Sequence, residues 1–319
     1  GEERRIEIPS EARVIDAREK TVVPGFIDIH GHGGGGNDTL DGTYEAIKNI
    51  AKFKAKNGTT GFLPTTVTAP QDELLNSARA VREAIERGTG GAEVLGIHLE
   101  GPYLNAEKKG AQNEKYIRKP SLEELDEIIE ASGDSVKIVT LAPEVGGSID
   151  FIKGVCQRGI VASAGHTDAT YEEVVSAVEA GLSHVCHTYN AMRGLHQREP
   201  GALGAVLTIE GLTNEIVSDG IHVHPAAMEL LIKCKGVDKV ILVTDAVVGA
   251  GMSEGEYELG GKTIIIKKER HEYVLIGRRI VIEEGLSRFP DGTIAGSVLT
   301  MNSAVRNIAN FVGLPLQDA

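Results

Sequence analysis

The sequence predicts an α/β protein: a (β/α)8 TIM-type barrel with a small β appendage built from the terminal segment and a late insertion. Three observations lead there. From residue 22 onward, short apolar runs alternate with stretches of helical period, the pattern of a parallel sheet whose crossovers are helices. Eight such units fit into 319 residues, the size of one large barrel. Finally, residues able to bind a metal ion recur at the ends of apolar runs: His30 and His32, Glu100, His166, His187 and Asp245. In a (β/α)8 barrel the C-terminal strand ends form one face. A doubly wound sheet would not gather residues from strands so far apart in sequence.

In chain order, strands are expected near 25–30, 60–66, 94–99, 136–142, 160–164, 183–187, 215–218 and 239–244. Helical periodicity marks 44–53, 72–86, 121–129, 171–179 and 225–233 between them, and 304–311 reads as a closing helix. Ser121 with Glu124 three residues on is a capping-box signature. Residues 1–21 hold β-like pieces (Ile6, Ile8, Val14, Ile15) and are assigned to the small β part, with 22–319 as the barrel. The insertion at about 251–298 is rich in glycine and β-branched residues, with strands expected at 263–266 and 273–276.

Composition narrows the function classes. Hydrophobic residues make up 41% of the chain, enough for a packed core, and the net charge is −13. Nothing resembles the basic stripe of a nucleic-acid-binding protein, and no run is long enough to cross a bilayer. Three widely spaced cysteines argue against a disulfide framework and for a reducing, cytoplasmic compartment. The chain opens on Gly1 rather than methionine, so a trimmed segment is expected.

The first apolar run, Phe26-Ile27-Asp28-Ile29, ends in His30-Gly31-His32 and a glycine run. Alternate residues of a strand point the same way, so the two histidines can converge on one ion. An isolated pair of this kind more often satisfies core hydrogen bonds; four further ligand types at strand ends change that reading. Imidazole nitrogen and carboxylate oxygen suit zinc or iron, with manganese or cobalt as alternatives. One or two divalent ions per chain are expected, in a hydrolytic site where Asp245 takes and returns a proton as general base and acid. His184 and His187 lie on opposite faces of a strand, and His187, nearer the end, is the candidate. His98, two residues before Glu100, reads as a core residue or as a support behind the ligands, Cys186 as a core residue, and His271 as a solvated one.

The run Val22-Val23-Pro24-Gly25-Phe26-Ile27-Asp28-Ile29-His30-Gly31-His32 resembles the amidohydrolase superfamily. The resemblance narrows through Asn57-Gly58-Thr59-Thr60, His98-Leu99-Glu100-Gly101-Pro102-Tyr103, Lys108-Lys109-Gly110-Ala111 and Gly165-His166-Thr167. It continues through His187-Thr188-Tyr189-Asn190-Ala191-Met192, Asp219-Gly220-Ile221-His222, Thr244-Asp245-Ala246 and Ala295-Gly296-Ser297-Val298-Leu299. In this order they are similar to the deacetylase family acting on N-acetylglucosamine 6-phosphate. That resemblance implies a metal held by Glu100, His166 and His187, and a second at His30 and His32 with Glu100 bridging. It further implies contacts to an amino-sugar phosphate from Gln112, Asn190, Ala191, Arg198, His222 and Leu299. It implies a homodimer, with one phosphate contact supplied across the interface. Arg198 suits a phosphate because a guanidinium can bind it bidentately.

Two departures stand out. Gln112 occupies a place where many family members have histidine, and Asn302 one where an acidic residue is common. Glutamine can donate a hydrogen bond but cannot carry a proton. Two other functions compete. One is opening of a cyclic amide, whose enzymes use a carboxylated lysine on the fourth strand; Lys137 lies near that strand's start. The other is a non-catalytic sugar-phosphate binder, which keeping all six candidate ligands disfavours.

Overall fold

A computed structural model describes residues 9–275 and 277–319. Its barrel strands are β1 Phe26–Gly31, β2 Thr59–Thr66, β3 Ile97–Glu100, β4 Val136–Leu141, β5 Val161–Ala164, β6 His184–Val185, β7 Thr213–Val217 and β8 Val240–Val243. Each pairs in parallel with the next, in chain order. Between β8 and β1 the closure is made by fewer bonds. The Asp245 N–H donates to the His30 carbonyl at 2.9 Å. The Asp28 carboxylate accepts from the Thr244 backbone N–H at 3.2 Å and the Thr244 hydroxyl at 2.6 Å.

Helices α1 Tyr44–Lys56, α2 Gln71–Arg87, α3 Leu122–Ser132, α4 Ser148–Gln157, α5 Tyr171–Glu179, α6 Gly201–Thr208, α7 Pro225–Lys235 and α8 Met301–Val312 cover the outside. Each turns an apolar stripe inward; α1 buries Ile47, Ile50 and Ala51, and α2 buries Leu74, Ala78, Val81 and Ala84. Among the described residues no helix is long and apolar enough to cross a membrane. Strand placement thus agrees with the alternation in the sequence. Helices α4 and α6 are not among those expected from the sequence, although α4 buries Phe151, Ile152 and Val155 along one stripe.

Local details differ from expectation. The Ser121 hydroxyl does accept from the Glu124 N–H at 3.2 Å, but the return arm of the box is absent. Glu124 instead accepts from Arg118 at 2.8 Å and from the Tyr103 hydroxyl at 3.1 Å, because a guanidinium outcompetes a backbone amide. A complete box is found at Thr170 and Glu173, opening α5.

A four-stranded antiparallel sheet follows β8: β9 Gly255–Leu259, β10 Lys262–Leu275, β11 Arg278–Arg288 and β12 Ile294–Ser297. The two strands expected at 263–266 and 273–276 are one strand, β10, with residue 276 outside the described residues. Its charged middle stays extended because it pairs across to β11: Arg270 lies opposite Glu283, and their side chains meet at 2.5 Å. Among the described residues the sheet draws on the insertion alone. Ile6 and Ile8 lie outside the described residues, and residues 9–21 form no strand, Val14 and Ile15 being exposed without a pairing edge.

Candidate active site

The strand ends bring all six predicted ligand residues together. His30 is the last residue but one of β1, with His32 just past its end, and Glu100 ends β3. His166, His187 and Asp245 follow β5, β6 and β8 within two residues. Three of the bends are costly. Among the described residues, seven non-glycines have positive φ, and His166 (47°), His187 (22°), Tyr189 (80°), Ala191 (49°) and Asp245 (48°) are five of them. Left-handed backbone costs such residues about 1–3 kcal/mol each. Strain gathered at one rim marks a place where side-chain aim outweighs local comfort.

The polar atoms converge on two points. His166 Nε2 and His187 Nε2 lie 3.0 and 2.9 Å from Glu100 Oε1 and 3.1 Å from each other. His32 Nε2 lies 3.2 Å from Asp245 Oδ1 and 3.4 Å from Glu100 Oε2. His30 Nε2, fully buried, has no hydrogen-bond partner; it sits 3.6 Å from Glu100 and 3.7 Å from Asp245. Glu100 therefore faces both groups, one of His30, His32 and Asp245 and one of Glu100, His166 and His187.

The outer partners fix the tautomers. His32 Nδ1 faces the Thr65 carbonyl at 3.2 Å and His166 Nδ1 the Lys108 carbonyl at 2.8 Å. His30 Nδ1 faces the Glu215 carboxylate at 2.7 Å. A carbonyl or carboxylate only accepts, so each Nδ1 carries a proton, and in the neutral ring Nε2 is the atom left to offer a lone pair inward to an ion. Lone pairs and carboxylate oxygens pointing at common centres repel one another unless a cation lies between them. These donors are nitrogen and oxygen in number and kind suited to one or two divalent ions.

The carboxylates take over part of that work: burial opposes protonation of the histidines, but Glu215 and Glu100 push His30 up to about 10, and Asp245 and Glu100 raise His32 and His187. Burial raises the Glu100 carboxyl, but His166 and His30 outweigh it and hold it well below the usual range. Burial likewise opposes ionisation of Asp245, yet its bond to His32 and the nearby histidines keep it ionised. His98 is pushed down to about 3 by burial and by His30, and so stays neutral. It bonds the Ile29 carbonyl at 3.0 Å and the Thr140 hydroxyl at 2.8 Å, turned away from the ligand group as the sequence reading placed it.

Glu215, on β7, is absent from the sequence reading. Fully buried, it accepts from His30 Nδ1, from the His187 backbone N–H at 3.1 Å and from His184 Nε2 at 3.0 Å. One carboxylate thus orients both candidate centres and explains why His184, facing away from Glu100, is buried. A glutamate in the middle of a strand, just before Ile216 and Val217, was the available signal. Glu215→Gln is expected to weaken divalent-metal affinity about 10- to 100-fold, read by competition with a chelating dye. Unchanged affinity would reduce Glu215 to a packing role.

Above the ligands lies a cavity of about 300 Å³. It is lined by Gln112, Asn190, Ala191 and His222 on one side and by Val247, Leu259 and Ile294 on the other. The Gln112 amide donates to Glu100, and its carbonyl accepts from the Thr68 N–H at 2.6 Å. His222 Nδ1 meets Asp219 at 2.5 Å; burial lowers its pKa, but Asp219 more than compensates and raises it. Two predicted contacts lie elsewhere. Arg198 is exposed on the 193–199 loop, outside the lining. Leu299 is buried with Val217 and Val243, at the ends of β7 and β8, and with Met301 and Ala304 of α8. Lys137 is exposed at the opposite end of β4, so it cannot bridge ions.

Such a rim of histidines and carboxylates on a (β/α)8 barrel defines a metal-dependent hydrolase, and the chain belongs to the amidohydrolase family, which residues 21–253 match. More particularly, it is 38% identical over 303 residues to N-acetylglucosamine-6-phosphate deacetylase of Bacillus subtilis strain 168, covering 94% of this chain and 72% of that one. It is 36% identical to N-acetylgalactosamine-6-phosphate deacetylase of Escherichia coli O157:H7, covering 98% and 78%. Among solved structures, a mutant N-acetyl-D-glucosamine-6-phosphate deacetylase from Mycobacterium smegmatis, in complex with N-acetyl-D-glucosamine-6-phosphate, superposes with a TM-score of 0.83. It is 33% identical, and the match covers 93% of this chain and 73% of that one.

Proposed function

We propose that this chain hydrolyses the acetamide of N-acetylglucosamine 6-phosphate, giving glucosamine 6-phosphate and acetate in amino-sugar metabolism. The carrying observation is the orphan His30 Nε2 amid bare imidazole nitrogens that share Glu100 with Asp245 at the cavity floor. Glu100, His166 and His187 would hold one divalent ion, and His30 and His32 a second with Glu100 and Asp245; zinc or iron fits these donors best. A bound ion supplies Lewis acidity and lowers the pKa of a water towards ~7. Asp245, ionised and facing the cavity, takes the proton of the attacking water and delivers it to the departing amine as the C–N bond breaks. Gln112 holds Glu100 from the cavity side and cannot exchange that proton, so a single acid–base group serves both steps.

Asn190, the Ala191 backbone and His222 line the place for the sugar phosphate. Arg198, being exposed, suits a phosphate only in a neighbouring protomer, and a homodimer follows from that reading. Three unpaired cysteines fit a cytoplasmic location. A second reading, the galactosamine epimer as substrate, is favoured by the Escherichia coli relative.

The test is acetate release by protein stripped of metal with a chelator and reloaded with zinc, iron, manganese or cobalt. Both epimeric 6-phosphates and unphosphorylated N-acetylglucosamine are compared. Metal-dependent release strongly favouring N-acetylglucosamine 6-phosphate is expected. Preference for the galactosamine epimer would move the assignment to the second reading. Equal release from the unphosphorylated sugar would remove the phosphate contacts, and none from folded protein would remove the deacetylase.

A further inference from the structure

The β10–β11 hairpin reaches across the barrel to the loop after β7, which carries His222 into the cavity. In that loop the Asp219 carboxylate accepts from the Ile221 and His222 N–H groups, both at 2.8 Å, and holds the His222 ring at 2.5 Å. The turn depends on Gly220, whose φ of 76° is left-handed. Its outer side is covered from the hairpin. The Tyr273 hydroxyl donates to the Gly220 carbonyl at 2.7 Å, and the Tyr273 ring meets His224 edge-on at 4.5 Å. Ile282 and Phe311 lie so close to Gly220 that a Cβ there would fall 2.1 Å from Ile282 and 3.0 Å from Phe311. Ile280 and Ile282 are buried in the same core as Phe311 and Val223.

We infer that this hairpin is a positioning element for substrate: Tyr273 and Ile282 clamp the Gly220 turn, and through it set where His222 meets the sugar phosphate. The inference rests on reading His222 as a substrate contact. Among the described residues, none of the hairpin lines the cavity; Tyr273 and Ile282 touch the turn itself. Anionic recognition needs a fixed donor, and a turn braced by one hydrogen bond and one branched side chain keeps the imidazole from swinging. The hairpin's Ile264 and Ile266 pack behind the segment after Asp245, but the contacts of Tyr273 and Ile282 fall on the loop after β7 and on α8, so changes at these two residues separate binding from chemistry.

The experiment measures KM and kcat for N-acetylglucosamine 6-phosphate with Tyr273→Phe, Ile282→Ala, His222→Ala and the Tyr273→Phe/His222→Ala double variant. Losing one hydrogen bond that acts on binding should raise KM about three- to tenfold in Tyr273→Phe, with kcat unchanged. Ile282→Ala should do the same through packing, and the double variant should match His222→Ala alone, because coupled residues are not additive. If His222→Ala raises KM while both hairpin variants leave it alone, the hairpin role is overturned. Additive effects in the double variant overturn it too. An unmoved KM in His222→Ala would instead fell the substrate reading of His222, and the inference with it. A purely structural hairpin would lower the melting temperature without splitting KM from kcat.

Discussion

Asp245→Asn is expected to lower kcat for the phosphorylated sugar by about 10²- to 10⁴-fold, the range lost when a positioned acid–base group is removed, with the fold retained. The substitution keeps shape and hydrogen-bond reach but abolishes the charge and the proton. Asp245 opens onto the cavity while its Oδ1 lies 3.2 Å from His32 Nε2, so it faces both the ligand group and the substrate space. Its backbone is pinned by the N–H bond to the His30 carbonyl and by a left-handed φ of 48°, which leaves the carboxylate little freedom to be replaced by a neighbour. No other carboxylate among the cavity-lining residues can take over: Glu100 is engaged by Gln112 and two histidines. Metal content measured beside kcat separates the two roles of the residue. Full metal with lost turnover supports proton transfer; metal lost in proportion to turnover would make Asp245 a ligand first. A variant as fast as the parent would place the proton carrier elsewhere.

Much of this site was legible because metal ligands on a barrel must be polar residues at the ends of apolar runs. His30, His32, Glu100, His166, His187 and Asp245 are each conspicuous for that reason, and the structure places them on one rim. What supports them was less visible. Glu215 sits inside its strand rather than at the end, and its partners His30 and His184 are 185 and 31 residues away in sequence. Asp28 was read only as part of the first motif, although it closes β1 to β8. Helix α6 escaped because Gly-Ala-Leu-Gly-Ala-Val-Leu-Thr is apolar on every side, and periodicity has nothing to contrast. The β10 strand was split in the sequence reading by its run of charged residues, whose partners on β11 only the register reveals. Order along the chain does not say which way a side chain turns, so neither the exposure of Arg198 nor the burial of Leu299 was legible in the motifs.

The largest effect on stability is expected not in the ligands but beneath them. Lys54 from α1 is 3% exposed, and its ammonium lies 2.6 Å from Asp28 Oδ2 and 3.5 Å from the Thr244 hydroxyl. Asp28 in turn reaches the His30 N–H at 3.4 Å and both the N–H and hydroxyl of Thr244. The pair therefore joins α1 to the one seam of the barrel where backbone pairing is sparse, directly under His30 and Asp245. Lys54→Met keeps most of the apolar stem but leaves the Asp28 carboxylate buried without its counter-charge. Breaking a buried ion pair from one side costs about 3–5 kcal/mol, a large part of the ~5–15 kcal/mol that holds a domain folded. A clear drop in the denaturant midpoint is expected. Adding Asp28→Asn should recover much of it, because the neutral amide oxygen still accepts from Thr244 while the uncompensated charge is gone. Recovery in the double variant would locate the cost in the stranded carboxylate. A double variant no more stable than Lys54→Met would mean that lost packing around the lysine stem, and not charge, sets the stability of the seam.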